Sequence, residues 1–108
     1  MSKYFKEIEE NMVPSFLAKL DRVRELYGKP MIINSAFRTP EHNKEVGGKP
    51  NSAHLYGLAV DIKIDGSRSR FEITKALIEI GFNRIGVAKS FIHVDDDTTK
   101  DKDVLWTY

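Results

Sequence analysis

Residues 58–64 read L-A-V-D-I-K-I, and residues 91–95 read F-I-H-V-D. In the first stretch Leu58, Val60, Ile62 and Ile64 occupy alternate positions, so an extended chain turns them to one side and Ala59, Asp61 and Lys63 to the other. The second stretch does the same, with Ile92 and Val94 on one side and Phe91, His93 and Asp95 on the other. If the apolar sets share a buried face, Asp61 and His93 share the opposite one. Two short strands, apolar on one face and able to do chemistry on the other, are the centre of the expected fold.

The flanking segments supply helices. Phe16, Leu17, Leu20, Val23 and Leu26 recur at helical spacing between Pro14 and Tyr27, with Pro14 suited to a first turn and Gly28 followed by Pro30 suited to a stop. Met31 to Ile33 is a short β-leaning run. Thr39 can cap, and Pro40 can open, a further helical turn or two ending at Gly47-Gly48. Ser69 and Glu72 form a capping-box pattern for a helix through Ile73, Ala76, Leu77 and Ile80, which Gly81 closes. Arg84 to Val87 fits another short strand. Helices and strands come mixed without regular alternation, which predicts an α+β fold: a small antiparallel sheet with helices packed on one side and a cleft on the other.

At 108 residues the chain is expected to form a single domain, 1–108, around one core. Seventeen basic residues against sixteen acidic ones leave a formal charge of +1, which provides no global field to attract nucleic acid or an anionic membrane. There is no cysteine, so any zinc must be held by histidine and carboxylate. The first ten residues, M-S-K-Y-F-K-E-I-E-E, are charged and lack the apolar stretch of a secretory signal, and no later stretch is long and apolar enough for a membrane span. Synthesis in the cytoplasm is therefore expected; action outside the cell would require a lysis system, a virion particle or a fusion partner.

His54 lies seven residues before Asp61, behind a Tyr56-Gly57 turn able to fold it back towards the Asp61/His93 face. Two histidines and one carboxylate are a recognised catalytic zinc set that leaves a fourth position open. His42, on an exposed helical turn, reads as a surface residue. Ser52 is placed to hydrogen-bond near the site, and Gly57 to make a turn that a side chain would obstruct. Tyr56 and Trp106 read first as core aromatics and second as cleft lining.

The stretch S-A-H-L-Y-G-L-A-V-D at Ser52 to Asp61, together with F-I-H-V-D at Phe91 to Asp95, resembles the two metal motifs of the zinc D-Ala-D-Ala carboxypeptidase family, whose fold is shared with the hedgehog signalling domain. S-A-F-R-T-P-E-H-N-K-E-V-G-G at Ser35 to Gly48 resembles the arginine-bearing motif of the same family, particularly in its small phage-associated and cell-wall members, and the terminal Trp106-Thr107-Tyr108 resembles the end of that subgroup's chains. The resemblance runs from about Ile32 to Tyr108 with the motifs in the family's order.

It implies zinc ligation by His54, Asp61 and His93. It also implies an Arg38 that reaches into the cleft to bind a substrate carboxylate or steady an oxyanion. The implied activity is hydrolysis of D-amino-acid-containing peptides of peptidoglycan, stem or cross-link, by carboxypeptidase or endopeptidase action. One departure stands out: where many relatives carry a glutamate three residues before the last histidine, this chain has Ser90, which cannot act as general base. Asp95 returns to the face of His93 and is either the replacement base or an outer partner that orients a zinc ligand. The missing glutamate keeps two other readings open, a catalytically silent zinc-binding recognition module and a structural phage component.

Overall fold

Val60, Ile62, Ile92 and Val94 are completely buried on one face of a five-stranded sheet in the computed structural model, which describes residues 1–108. The strands are β1 (Ile33–Ser35), β2 (Ala59–Lys63), β3 (Arg84–Val87), β4 (Phe91–Asp95) and β5 (Val104–Thr107), in the spatial order β1-β2-β4-β3-β5. Three helices accompany them: α1 (Pro14–Tyr27), α2 (Pro40–Glu45) and α3 (Ser67–Ile80). Short 3-10 turns span Lys6–Ile8 and Ala53–Tyr56.

Helices α1 and α3 pack against each other and cover the apolar face of the sheet. The stripe Phe16, Leu17, Leu20 and Val23 of α1 meets Ile73, Ala76 and Leu77 of α3, and both join the four strand residues in one cluster of 16 buried side chains. Burying a side chain of this size stabilises by roughly 1.5–3 kcal/mol. No helix is long and apolar enough to cross a membrane.

The α+β class is as expected, and α1, β3 and β4 have the expected limits. The details differ in four places. The sheet is not wholly antiparallel, because β5 runs parallel to β3 along its outer edge, pairing Arg84 with Val104 and Gly86 with Trp106. Residues 96–103 carry the chain from the end of β4 past the start of β3, and Asp103, at φ 58°, turns it to run back beside β3. Strand β1 falls later than Met31–Ile33, at Ile33–Ser35, with a register irregularity against β2. Helix α3 begins at Ser67, not at a Ser69 cap: the Ser69 hydroxyl accepts from the Asp65 N–H at 2.8 Å and donates to the Gly66 carbonyl at 3.2 Å. Finally, residues ahead of α1 belong to the core, with Phe5 and Met12 buried and the segment pinned by Asp21, whose carboxylate accepts from Ser2 Oγ and from the Lys3 and Tyr4 amides.

This N-terminal segment buttresses the turn that carries His54. The Val13 amide donates to the Gly57 carbonyl at 3.0 Å, and Gly57 sits in the left-handed region at φ 68°. A Cβ there would lie 2.2 Å from the Asn11 carbonyl oxygen. Gly57→Ala is therefore expected to destabilise by more than the roughly 1–2 kcal/mol of a left-handed residue alone, since the backbone must also move. Denaturant unfolding measures this; a loss under about 0.5 kcal/mol, the range of a neutral surface change, would show that the turn relaxes freely.

Candidate metal centre

The strand register builds one polar row across the sheet. Asp61 on β2 pairs with His93 on β4, His93 pairs with Gly86 on β3, and Gly86 pairs with Trp106 on β5. All four face away from α1 and α3, because their neighbours Val60, Ile62, Ile85, Ile92 and Val94 fill the core on the other face. A second row lies two residues along, where Asp95 and Arg84 meet at 2.7 Å.

His54 reaches this row from the 3-10 turn. Ser52 caps that turn, its hydroxyl accepting from the His54 amide at 3.2 Å. The segment leaving β1 then holds the residue twice: the Arg38 amide donates to the His54 carbonyl at 3.1 Å, and His54 Nδ1 lies 2.7 Å from the Ala36 carbonyl. The His54 ring is almost fully buried.

The acceptor at Ala36 settles the role of each His54 nitrogen. A carbonyl can only accept, so His54 Nδ1 carries the hydrogen, and in the neutral ring Nε2 keeps its lone pair towards Asp61 Oδ1 at 3.2 Å. His93 meets a carboxylate oxygen with each nitrogen, Nε2 with Asp95 Oδ2 at 2.7 Å and Nδ1 with the same Asp61 oxygen at 3.0 Å; with its hydrogen on Nε2, at the shorter contact, the neutral ring keeps the Nδ1 lone pair towards Asp61. In that tautomer of His93, three lone-pair atoms converge with no hydrogen between them. The arrangement calls for a cation at its centre, either added protons or a metal ion. One donor atom from each of His54, Asp61 and His93 lies within 4.8 Å of the others, and the two N–O separations are close to the roughly 3.3 Å edge of a tetrahedron with 2.0–2.1 Å bonds. The donor set fits a divalent metal of the zinc type.

The electrostatics follow from this crowding. Burial works to raise the Asp61 carboxyl, but in the metal-free protein, where a proton can lie between ring and carboxylate, contact with His54 and His93 outweighs it and holds the group well below the usual carboxylate range. Burial works to lower His93, and contact with Asp61 and Asp95 overcomes it and raises the imidazole in the metal-free protein. Asp95, also penalised by burial, is lowered by His93, the Asp97 amide and Arg84.

Arg38 stands over the row. Its Nε donates to Ser35 Oγ at 3.0 Å, Nη1 to Asn43 Oδ1 at 3.2 Å and Nη2 to Asp61 Oδ2 at 3.3 Å. A guanidinium has five N–H groups, so two remain. Asn43, itself buried, is fixed by donating to the Lys49 carbonyl at 2.8 Å. Gly48 leaves room for this packing, since a Cβ there would stand 2.0 Å from Asn43 Oδ1.

Asp95 is only 2 % exposed. Oδ2 accepts from His93, while Oδ1 accepts from Arg84 Nε and from the Asp97 amide at 3.1 Å. It meets His93 through the nitrogen that points away from Asp61. His42 is exposed on α2, and its ring is not among the converging donors. Tyr56 is exposed rather than core, and Ser90 is exposed in the β3–β4 turn, where its carbonyl accepts from the Ile64 amide. Trp106 is half-buried beside His93, with ring centroids 5.6 Å apart.

The row forms the floor of a cleft of about 940 Å³ lined by Arg38, His54, Asp61, Arg84, His93 and Trp106, among others. Its size suits a small molecule or a few residues of peptide. Sequence reasoning had not singled out Arg84 or Gly86. The signal was present in strand alternation, since R-I-G-V at Arg84 to Val87 turns Arg84 and Gly86 to the side opposite Ile85.

Comparison with known proteins points the same way. The sequence model of a family described as Peptidase M15 matches residues 2–95. A zinc D-Ala-D-Ala carboxypeptidase from Streptomyces albus G is 38% identical over 68 residues, a match covering 62% of this chain and 26% of that protein. The chain thus matches about a quarter of its relative's length.

If the three lone-pair atoms share one ion, removing any one should abolish stoichiometric uptake of a divalent metal. His54→Ala, Asp61→Ala and His93→Ala are each expected to lose it, while His42→Ala binds like the parent protein. Metal analysis after dialysis reads the result, and full occupancy in His93→Ala would remove that residue from the centre.

Proposed function

The chain belongs to the Peptidase M15 family, and on that premise we propose that residues 1–108 act as one zinc-dependent peptidase domain that hydrolyses D-amino-acid-containing peptide bonds of peptidoglycan. The observation that carries this reading is the convergence of His54 Nε2, Asp61 and His93 Nδ1 in an open cleft, within the reach of one ion. The Streptomyces relative, by name a zinc D-Ala-D-Ala carboxypeptidase, supports zinc as the ion and D-amino-acid-containing peptides as the substrate class. Carboxypeptidase and endopeptidase action both fit a cleft of this size.

Zinc bound at such a centre supplies Lewis acidity, polarising a substrate carbonyl and making a water molecule more acidic. The protein's own groups do the rest. His54, Asp61 and His93 hold their donor atoms in place through the Ala36 carbonyl, Arg38 and Asp95 respectively. The two uncommitted N–H groups of Arg38 are available to a substrate carboxylate or to negative charge developing on the attacked carbonyl. Because Arg38 also grips Asp61, it ties substrate positioning to the geometry of a metal ligand.

Of its two sequence-level roles, we assign Asp95 that of orienting partner to His93 and not that of general base. A base needs an oxygen within reach of the attacking water, and both Asp95 oxygens are occupied by His93, Arg84 and the Asp97 amide. Its lowered pKa also makes it a poorer proton acceptor.

Digestion of purified peptidoglycan, with mass analysis of the fragments, tests the function directly. Release of single D-amino acids identifies a carboxypeptidase, and release of separated stem peptides an endopeptidase. A zinc-loaded protein that releases neither is a recognition module or scaffold. Asp95→Asn separates the two roles of that residue. An orienting partner should lose zinc affinity and activity together by about ten- to a hundredfold, whereas loss of a base would spare zinc and cut the rate by roughly a hundred- to ten-thousandfold.

A further inference from the structure

Arg84 is exposed over only 12% of its side chain, yet it touches none of the three converging donors. Its guanidinium is committed in three directions. Nε donates to Asp95 Oδ1 at 2.7 Å, Nη1 donates to the Asp101 carbonyl, and the guanidinium carbon lies 5.2 Å from the centre of the Trp106 ring. Asp95 and Trp106 are themselves neighbours of His93. Asp95 Oδ2 lies 2.7 Å from His93 Nε2, which carries the hydrogen when Nδ1 serves as a metal ligand, and the Trp106 ring lies 5.6 Å from the imidazole at 47°.

The gap that admits Trp106 comes from Gly86. It stands between His93 and Trp106 in the strand register, and a Cβ on it would lie 2.4 Å from the indole Nε1. The indole thus lies over Gly86, in contact with Arg84 on one side and His93 on the other.

We propose that Arg84 is a positioning residue for the metal centre, holding Asp95 on the Nε2 edge of His93 and Trp106 beside its ring, so that Nδ1 stays aimed at the ion. The inference rests on His93 serving as a zinc ligand. A carboxylate with a single tether could swing about its χ angles. Held by Arg84 and by the Asp97 amide on Oδ1, Asp95 can present only Oδ2 to the imidazole. Arginine suits this task because one planar fork makes the charge-assisted bond, the carbonyl bond and the stacking contact together. Arg84 also anchors the loop after β4, through Asp101, to the strand that faces His93.

The test uses Arg84→Met, which keeps much of the apolar stem, and Arg84→Lys, which keeps the charge without the fork. Zinc affinity is measured by competition with a chromophoric chelator. The His93 Nε2–H proton of the zinc-loaded protein is followed by NMR. Wild-type protein should show that proton as a slowly exchanging, downfield signal. Arg84→Met is expected to lose zinc affinity on the order of tenfold, the low end for an outer partner of a metal ligand, and to lose the protected signal. Arg84→Lys should keep the signal and recover part of the affinity. Wild-type affinity and an unchanged His93 signal in Arg84→Met would overturn the proposal. A lower melting temperature with both readouts unchanged would do the same, by making Arg84 merely structural. If Arg84→Met does not fold, Arg84→Lys decides: affinity and signal both equal to wild type would reject the need for the fork. Failure of the wild-type protein itself to bind zinc would instead overturn the functional reading on which the inference rests.

Discussion

Burying Val60, Ile62, Ile92 and Val94 under α1 and α3 fixes which way Asp61 and His93 point, and the rest of the centre depends on that constraint. A slip of one residue in either strand would exchange the faces, sending a carboxylate or an imidazole into the core and an aliphatic side chain into the cleft. Each of the four aliphatic residues is fully buried, so such a slip would forfeit several kcal/mol of apolar burial before any cost of an unpaired charge is counted. The Asp61–His93 register is therefore specified by the hydrophobic core, not by attraction between the two groups. Everything else in the site is added to that pair: His54 from the turn ahead of β2, Arg38 from the segment after β1, and Arg84 and Trp106 from the two strands beyond β4.

The additions share a logic. Each of the three inward-facing donors has an outer partner that fixes its orientation: the Ala36 carbonyl for His54, Arg38 for Asp61 and Asp95 for His93. The partners are held in turn, Arg38 by Ser35 and Asn43, and Asp95 by Arg84 and the Asp97 amide. Since most of these contacts come from rigid strands or capped turns, the orientation is established by folding and needs no ligand to create it.

Much of this was legible in the sequence because it follows from period-two alternation and turn chemistry. Asp61 and His93 share a face since L-A-V-D-I-K-I and F-I-H-V-D alternate cleanly, and the Tyr56-Gly57 turn does fold His54 back towards them. Strand β5 was not legible in the same way. V-L-W-T is four residues long, follows a polar loop, and is held parallel to β3 by pairing that no local pattern announces. The sequence favours core over cleft lining for Trp106 for the same reason: its place over Gly86 depends on an edge pairing between residues twenty apart. The roles of Asp95 could not be separated from the sequence either. Alternation puts it on the face of His93, but only the positions of Arg84 and the Asp97 amide show that its oxygens are already taken.

The charge balance of the cluster carries the argument one step further. Asp61 and Asp95, both held in the ionised form, are matched by Arg38 and Arg84, one arginine on each carboxylate. With neutral imidazoles the protein's contribution to the centre is close to zero, so a divalent cation held there would not be neutralised by its surroundings. A centre with two unpaired carboxylates would bind the ion more tightly but leave it little field to offer a substrate. Pairing each carboxylate with its own arginine keeps the ligand oxygen available while preserving the cation's polarising power in the cleft. That suits a site meant to act on a carbonyl group, and it explains why two arginines belong beside a cation: they offset the carboxylates and do not compete for the donors.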